Sequence, residues 1–112
     1  MELAFSKMHG AGNDFVVADI SKIDWPRAAD FIHAICERRK GVGADGLILL
    51  SRDGSALRMD YYNSDGSVAA LCGNGLRCAA VFAKESGLSD SDAMEFTTAS
   101  GVHSAQMVGR NL

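Results

Sequence analysis

Apolar and polar positions change period several times along the chain, and each change marks an element. Residues 3–8 read as a first strand and Phe15-Val16-Val17-Ala18 as a second. Between them, His9-Gly10-Ala11-Gly12-Asn13 is a glycine-punctuated turn, which predicts a hairpin. A helix signal follows: Asp24 as N-cap, Pro26 in the first turn, then apolar residues at Ala28, Ala29, Ile32, Ile35 and Cys36. Arg27, Asp30, His33 and Glu37 fall on the opposite face, so this helix is amphipathic and lies against a sheet or barrel. Arg38-Arg39-Lys40 closes it with positive charge suited to a helix C-terminus.

The loop Gly41-Val42-Gly43-Ala44-Asp45-Gly46 feeds Leu47-Ile48-Leu49-Leu50, an unbroken apolar run that predicts a strand covered on both sides. Asp53-Gly54 is a hairpin turn. The next strand alternates, with Leu57, Met59 and Tyr61 on one face and Arg58, Asp60 and Tyr62 on the other. Period two then puts Asn63 on the apolar face, where an amide is costly unless something pairs with it. Ser64-Asp65-Gly66-Ser67 is another turn. The stretch after Asn74 has one charged residue, Arg77, before Lys84, and a helix so apolar all round is a buried one. Gly87 reads as its stop, and residues 94–98 and 102–108 as a last hairpin across Ser100-Gly101. Strands wrapped around one central apolar helix are the simplest packing these patterns permit.

Chemistry concentrates in Leu71-Cys72-Gly73-Asn74-Gly75-Leu76-Arg77-Cys78, which sets a thiol at a Gly-Asn-Gly turn opening onto that helix. The first N–H groups of a helix lack internal partners, and the dipole adds partial positive charge there. A cysteine at that point has its thiolate stabilised, and the same donors can hold a ligand's carboxylate. Cysteine is often simply a small buried hydrophobe, and Cys36 and Cys78 read that way. Around Cys72 the glycine density argues instead for close approach of backbone to a ligand. Asn13 and Asn63 suit turns, yet each adjoins a glycine-rich loop, and asparagine can donate to a carboxylate and accept from an ammonium group. His9 reads as a structural turn residue and Asp45 as a loop cap. The Gly-Val-Gly-Ala-Asp-Gly string lacks the lysine of a phosphate-binding loop.

Composition narrows the classes. With 112 residues, 47% hydrophobic and 22% charged, the chain suits one globular domain. A net charge of −3 with no basic cluster argues against nucleic acid, and no apolar stretch reaches membrane-span length. The three cysteines have no metal-ligand spacing and make no disulfide scaffold, so no metal is expected and a reducing cytoplasm fits best.

Together these residues resemble the amino-terminal half of diaminopimelate epimerase, a cofactor-independent isomerase of lysine and peptidoglycan-precursor biosynthesis. The matching blocks are Phe5-Ser6-Lys7-Met8-His9-Gly10-Ala11-Gly12-Asn13-Asp14-Phe15-Val16-Val17, residues 39–49, Tyr62-Asn63-Ser64-Asp65-Gly66-Ser67 and Cys72-Gly73-Asn74-Gly75-Leu76-Arg77-Cys78. They stand in the family's order. The resemblance implies an α+β fold of mostly antiparallel strands, wrapped as a barrel-like sheet around a central apolar helix, with residues 1–112 as one of two pseudo-symmetric halves. It implies that Cys72 is one of two catalytic cysteines, that Asn13 and Asn63 bind substrate, and that Gly73 and Asn74 clamp the reacting carboxylate. Where some members carry a substrate-contacting glutamine, this chain has Gly46, and that contact is not carried over. The second cysteine belongs to the other half, which nothing here matches. A cytoplasmic homodimer acting on diaminopimelate without any cofactor is what the family implies for the full-length protein. The competing readings are another racemase or isomerase of the same fold, a non-catalytic half-domain binding amino acids or a partner, and a thiol redox protein using Cys72 and Cys78.

Overall fold

The computed structural model describes residues 5–10, 13–21, 29–38, 43–54, 56–69 and 73–106, with backbone alone at 10, 29–31 and 53. The expected helix start at Asp24 and Pro26, the thiol of Cys72 and the end of the last expected strand at 107–108 lie outside the described residues.

Six strands, β1 (Phe5–Gly10), β2 (Asn13–Asp19), β3 (Gly46–Asp53), β4 (Ala56–Asn63), β5 (Ala93–Thr98) and β6 (Gly101–Gln106), form one sheet in sequence order. Helix α1 (Ala29–Cys36) joins β2 to β3, and α2 (Gly73–Glu85) lies between β4 and β5. The three expected hairpins are present as antiparallel pairs β1–β2, β3–β4 and β5–β6. At two of their turns Gly54 (φ 64°) and Gly101 (φ 118°) take the left-handed conformations that favour glycine. The joins β2–β3 and β4–β5 are parallel, because a helix intervenes in each.

The helices occupy opposite faces, and connection rules explain why. Crossovers between parallel neighbours are almost always right-handed, and β4 runs against β3. The same hand, applied to strands of opposite direction, puts the second helix on the other face. Two cores result. Val16, Ala18, Leu47, Leu49 and Tyr62 pack with Ile32 and Cys36 of α1. Phe15, Val17, Ile48, Leu50, Leu57 and Met59 pack with Cys78, Ala79, Ala80 and Ala83 of α2. The run Leu47-Ile48-Leu49-Leu50 is covered on both sides, as its unbroken hydrophobicity predicts.

Two expectations need correction. The sheet is mixed and open: α2 touches both edge strands, β1 and β6, yet no ladder joins those edges among the described residues. It curls over α2 without closing as a barrel. Nor is α2 buried all round. Gly75, Cys78, Ala79, Ala80 and Ala83 are buried, whereas Leu76, Val81 and Phe82 are half-buried and Arg77 is exposed. A sheet that covers a helix from one side buries one stripe, and the small residues of that stripe let the backbones approach closely.

The Gly46 position is set by packing. A Cβ there would stand 2.8 Å from both the Tyr62 carbonyl oxygen and Tyr61 Cε1. The tyrosine ring can move, but the backbone oxygen belongs to the β3–β4 ladder. Gly46→Ala is therefore expected to cost about 1–3 kcal/mol as overpacking. The check is a lower urea midpoint at unchanged denaturant slope; an unshifted midpoint would show that the strands give freely.

Candidate functional site

Strand pleating decides which residues meet at α2. On β2, Phe15 and Val17 face α2, so Asn13 falls on that side. On β3 the α2 side is held by Ile48 and Leu50, and Gly46 continues their alternation. On β4 it is Leu57, Met59 and Tyr61, and Asn63 follows. The register makes Phe15, Gly46 and Asn63 neighbours across three strands, Phe15 opposite Gly46 and Gly46 opposite Asn63. At ordinary strand spacing that row spans about 10 Å. Asn13 lies two residues further out on β2.

The N-terminus of α2 meets this end of the sheet. Asn74 Nδ2 donates to Asn13 Oδ1 at 3.2 Å, joining residues 61 positions apart. Gly73 opens the helix, and its first turn carries no acidic side chain. Among the described residues, a Cβ added at Gly73 would meet nothing within 4 Å. Packing among the described residues does not account for glycine here. What remains is the open approach it leaves in front of the helix dipole. Cys72 precedes Gly73 in the chain.

Asn63 sits at the exposed end of β4 rather than in the core. Its Nδ2 donates to Ser67 Oγ at 3.0 Å, and its backbone N–H donates to the Ser67 carbonyl at 2.8 Å. The Ser64–Ser67 turn thus supplies the partner that an amide on this face requires. Asp65 accepts from Ser67 Oγ at 2.6 Å, a bond that lowers its pKa. Cys36 and Cys78 are both buried, as expected of core thiols, and burial raises the Cys36 pKa. His9 lies on β1 opposite Asp14, not in the turn.

A charged cluster behind Asn13 is the feature that sequence reasoning missed. Arg38 does not serve the α1 terminus; the loop amides of Gly43 and Ala44 donate to the carbonyls of Ile35 and Cys36 there, both at 3.2 Å. Its guanidinium instead grips Asp14 with two bonds, Nη1 to Oδ2 at 3.1 Å and Nη2 to Oδ1 at 2.9 Å. Nη2 also donates to Asp45 Oδ1 at 3.1 Å, and Lys7 Nζ lies 3.3 Å from Asp14 Oδ2. Asp14 and Asp45 cap one another: the Asp14 N–H donates to Asp45 Oδ2 at 3.1 Å and the Asp45 N–H to Asp14 Oδ1 at 2.9 Å. A carboxylate at the head of an apolar strand was the available signal, but no spacing rule links residues 14, 38 and 45.

The Arg38 bonds hold the Asp14 carboxyl well below the usual carboxylate range, against the opposing effect of burial, with the Asp45 N–H and Lys7 adding to the shift. A depressed folded-state pKa gives stability that is complete above the unfolded value, near ~3.9, and lost as pH falls through the folded value. Asp14→Asn should therefore be less stable than wild type at neutral pH by about 2–3 kcal/mol, below the range for a fully buried pair because Arg38 is half exposed. The gap should begin to narrow below about pH 4 and close only as the pH falls through the depressed folded-state value. Melting curves across pH check this, and parallel curves would remove the linkage.

Comparison with known proteins decides the family. The family model for Diaminopimelate epimerase matches residues 5–111. The chain belongs to the diaminopimelate epimerase family. It is 42% identical over 111 residues to the diaminopimelate epimerase of Alkaliphilus metalliredigens, an alignment covering 96% of this chain and 38% of that protein. The Archaeoglobus fulgidus diaminopimelate epimerase is 46% identical over 94 residues, covering 78% of this chain and 32% of its own length. The chain thus spans well under half the length of these family members. Among solved structures, a phenazine biosynthesis protein of the PhzF family from Enterococcus faecalis superimposes with a TM-score of 0.68 at 15% identity, over 87% of this chain and 35% of that one. A PhzF-family protein of Bacillus anthracis gives 0.66 at 20% identity, over 93% and 34%. These two likenesses carry the fold alone. No helix among the described residues of this family member is long and apolar enough to cross a membrane.

Proposed function

We propose that this chain is the amino-terminal half of a cofactor-independent diaminopimelate epimerase that converts LL- to meso-diaminopimelate, with Cys72 as one of two acid–base cysteines. The observation that supports it best is the convergence of Asn13, Asn63, Gly73 and Asn74 at one end of the sheet, on the face that α2 covers. Inverting an α-carbon takes a base on one face and an acid on the other. The α-proton is weakly acidic, so charge developing towards the carboxylate needs donors already in place. The helix start at Gly73 and Asn74 supplies them, and Cys72, directly before it, takes or returns the proton as thiolate or thiol. Asn13 and Asn63, each donor and acceptor, bind polar groups of the substrate beside the reacting centre.

In this reading the second cysteine comes from the other half of a two-domain protein, in which the sheet forms part of a barrel-like wrap around α2. The full-length enzyme is a cytoplasmic homodimer serving lysine and peptidoglycan-precursor synthesis. Thiol chemistry tests the assignment on the chain itself. Cys36 and Cys78 are buried, so Cys72 should react first with iodoacetamide, with a rate that rises at lower pH than that of an ordinary thiol. Peptide mapping that found Cys36 or Cys78 alkylated first in the folded chain would overturn it.

A further inference from the structure

We propose that Asp14, locked by Arg38 and Asp45, is a positioning residue that aims Asn13 at the mouth of α2. This deepens the reading above and rests on Asn13 being a ligand-binding residue. Asn13 is the terminal residue of β2, exposed, and its carboxamide bond to Asn74 lies on the surface. Strand ends fray, and a single exposed amide–amide bond holds a side chain weakly. Beyond its pairing with Gly10 across the hairpin, the restraint comes from the neighbouring residue.

Asp14 provides it. Its side chain is 11% exposed and is gripped by charge-assisted bonds from Arg38 on two nitrogens, with Lys7 alongside. Its own N–H is held by the Asp45 carboxylate, while its carbonyl accepts from the Asp45 N–H at 3.0 Å. Both ends of residue 14 and its side chain are thus fixed, which fixes the peptide plane shared with Asn13. Successive side chains on a strand point to opposite faces, so holding Asp14 towards α1 turns Asn13 towards α2. The same bonds tie residue 14 to residue 45, one position from the Phe15–Gly46 pair, and so fix where Asn13 stands relative to Gly46 and, through the β3–β4 register, relative to Asn63. A neutral knot of two acids and two bases on one face thereby sets the geometry of three site positions on the other.

The rival view is that the knot only stabilises the fold. The two separate by nuclear magnetic resonance on the 112-residue chain. In wild type, Asn13 should be ordered, with a backbone order parameter near ~0.85 and a cross-peak between its side chain and the Asn74 carboxamide. In Asp14→Asn the order parameter should fall below about 0.6 and the cross-peak should vanish, while the buried β3 amides keep their protection. Arg38→Lys, which keeps the charge but not the two-pronged grip, should give the same loss and serves if Asp14→Asn does not fold. Asp60→Asn is the control. It breaks a comparable ion pair with Arg58, at 3.1 Å on β4, and should destabilise the chain without moving Asn13. An ordered Asn13 still in contact with Asn74 in folded Asp14→Asn or Arg38→Lys would overturn the positioning role. No diaminopimelate enters these measurements, so a failure of the positioning role is distinguishable from a failure of the epimerase reading.

Discussion

Cys72→Ala, in a protein that joins this chain to the second half of the family, is expected to abolish interconversion of LL- and meso-diaminopimelate while the fold persists. General acid–base groups typically contribute about 10²–10⁴-fold, and here the thiol is the sole proton carrier proposed for its face of the α-carbon. The loss should therefore reach at least about 10³-fold in kcat/KM, equally in both directions of the reaction. Alanine is a good helix former and is smaller than cysteine, so position 72, directly before α2, should accept it without loss of structure. Circular dichroism and the melting temperature, measured alongside turnover, keep the chemical and structural effects apart. Turnover near the wild-type rate in a folded Cys72→Ala protein would sink the two-cysteine mechanism for this chain.

The isolated 112-residue chain should show no epimerase activity. On the proposed two-cysteine mechanism this chain's thiol removes an α-proton, while the group that returns one from the opposite face and the ligands for the substrate's distal ammonium and carboxylate come from the other half. Misplacement of that kind forfeits most of the advantage of a bound, oriented substrate, which is worth up to about 7–11 kcal/mol. Incubation with LL-diaminopimelate in deuterated water is the measurement: neither the meso isomer nor rapid deuterium incorporation at the α-carbon should appear. Formation of the meso isomer at an enzymatic rate would mean that two copies, or a residue outside the proposed set, complete the site. The half-site reading would then fail.

Local pattern was enough to specify much of this molecule. Each hairpin has short-range causes: glycines at the turns, alternation on β4, and an apolar run on β3 that demands cover on both sides. The buried states of Cys36 and Cys78 follow from helical spacing on apolar faces. Even the placement of Asn63 on the α2 face was legible, because a period of two carries a face assignment to the end of a strand.

Three things were decided only by tertiary structure. The sheet's openness depends on whether its edges find partners, which no periodicity encodes, and for the same reason α2 buries a stripe rather than its whole circumference. The Arg38–Asp14–Asp45 knot joins residues far apart in sequence, and it exists because the α1 crossover brings the end of α1 back beside the start of β2. A charge at a helix terminus looks the same in sequence whether it serves the dipole or reaches an acid elsewhere. The meeting of Asn13 with Asn74 likewise needs α2 on one particular face, fixed by the hand of the crossover and the reversal of β4. Sequence determined which residues could do the chemistry; the topology decided which of them stand together.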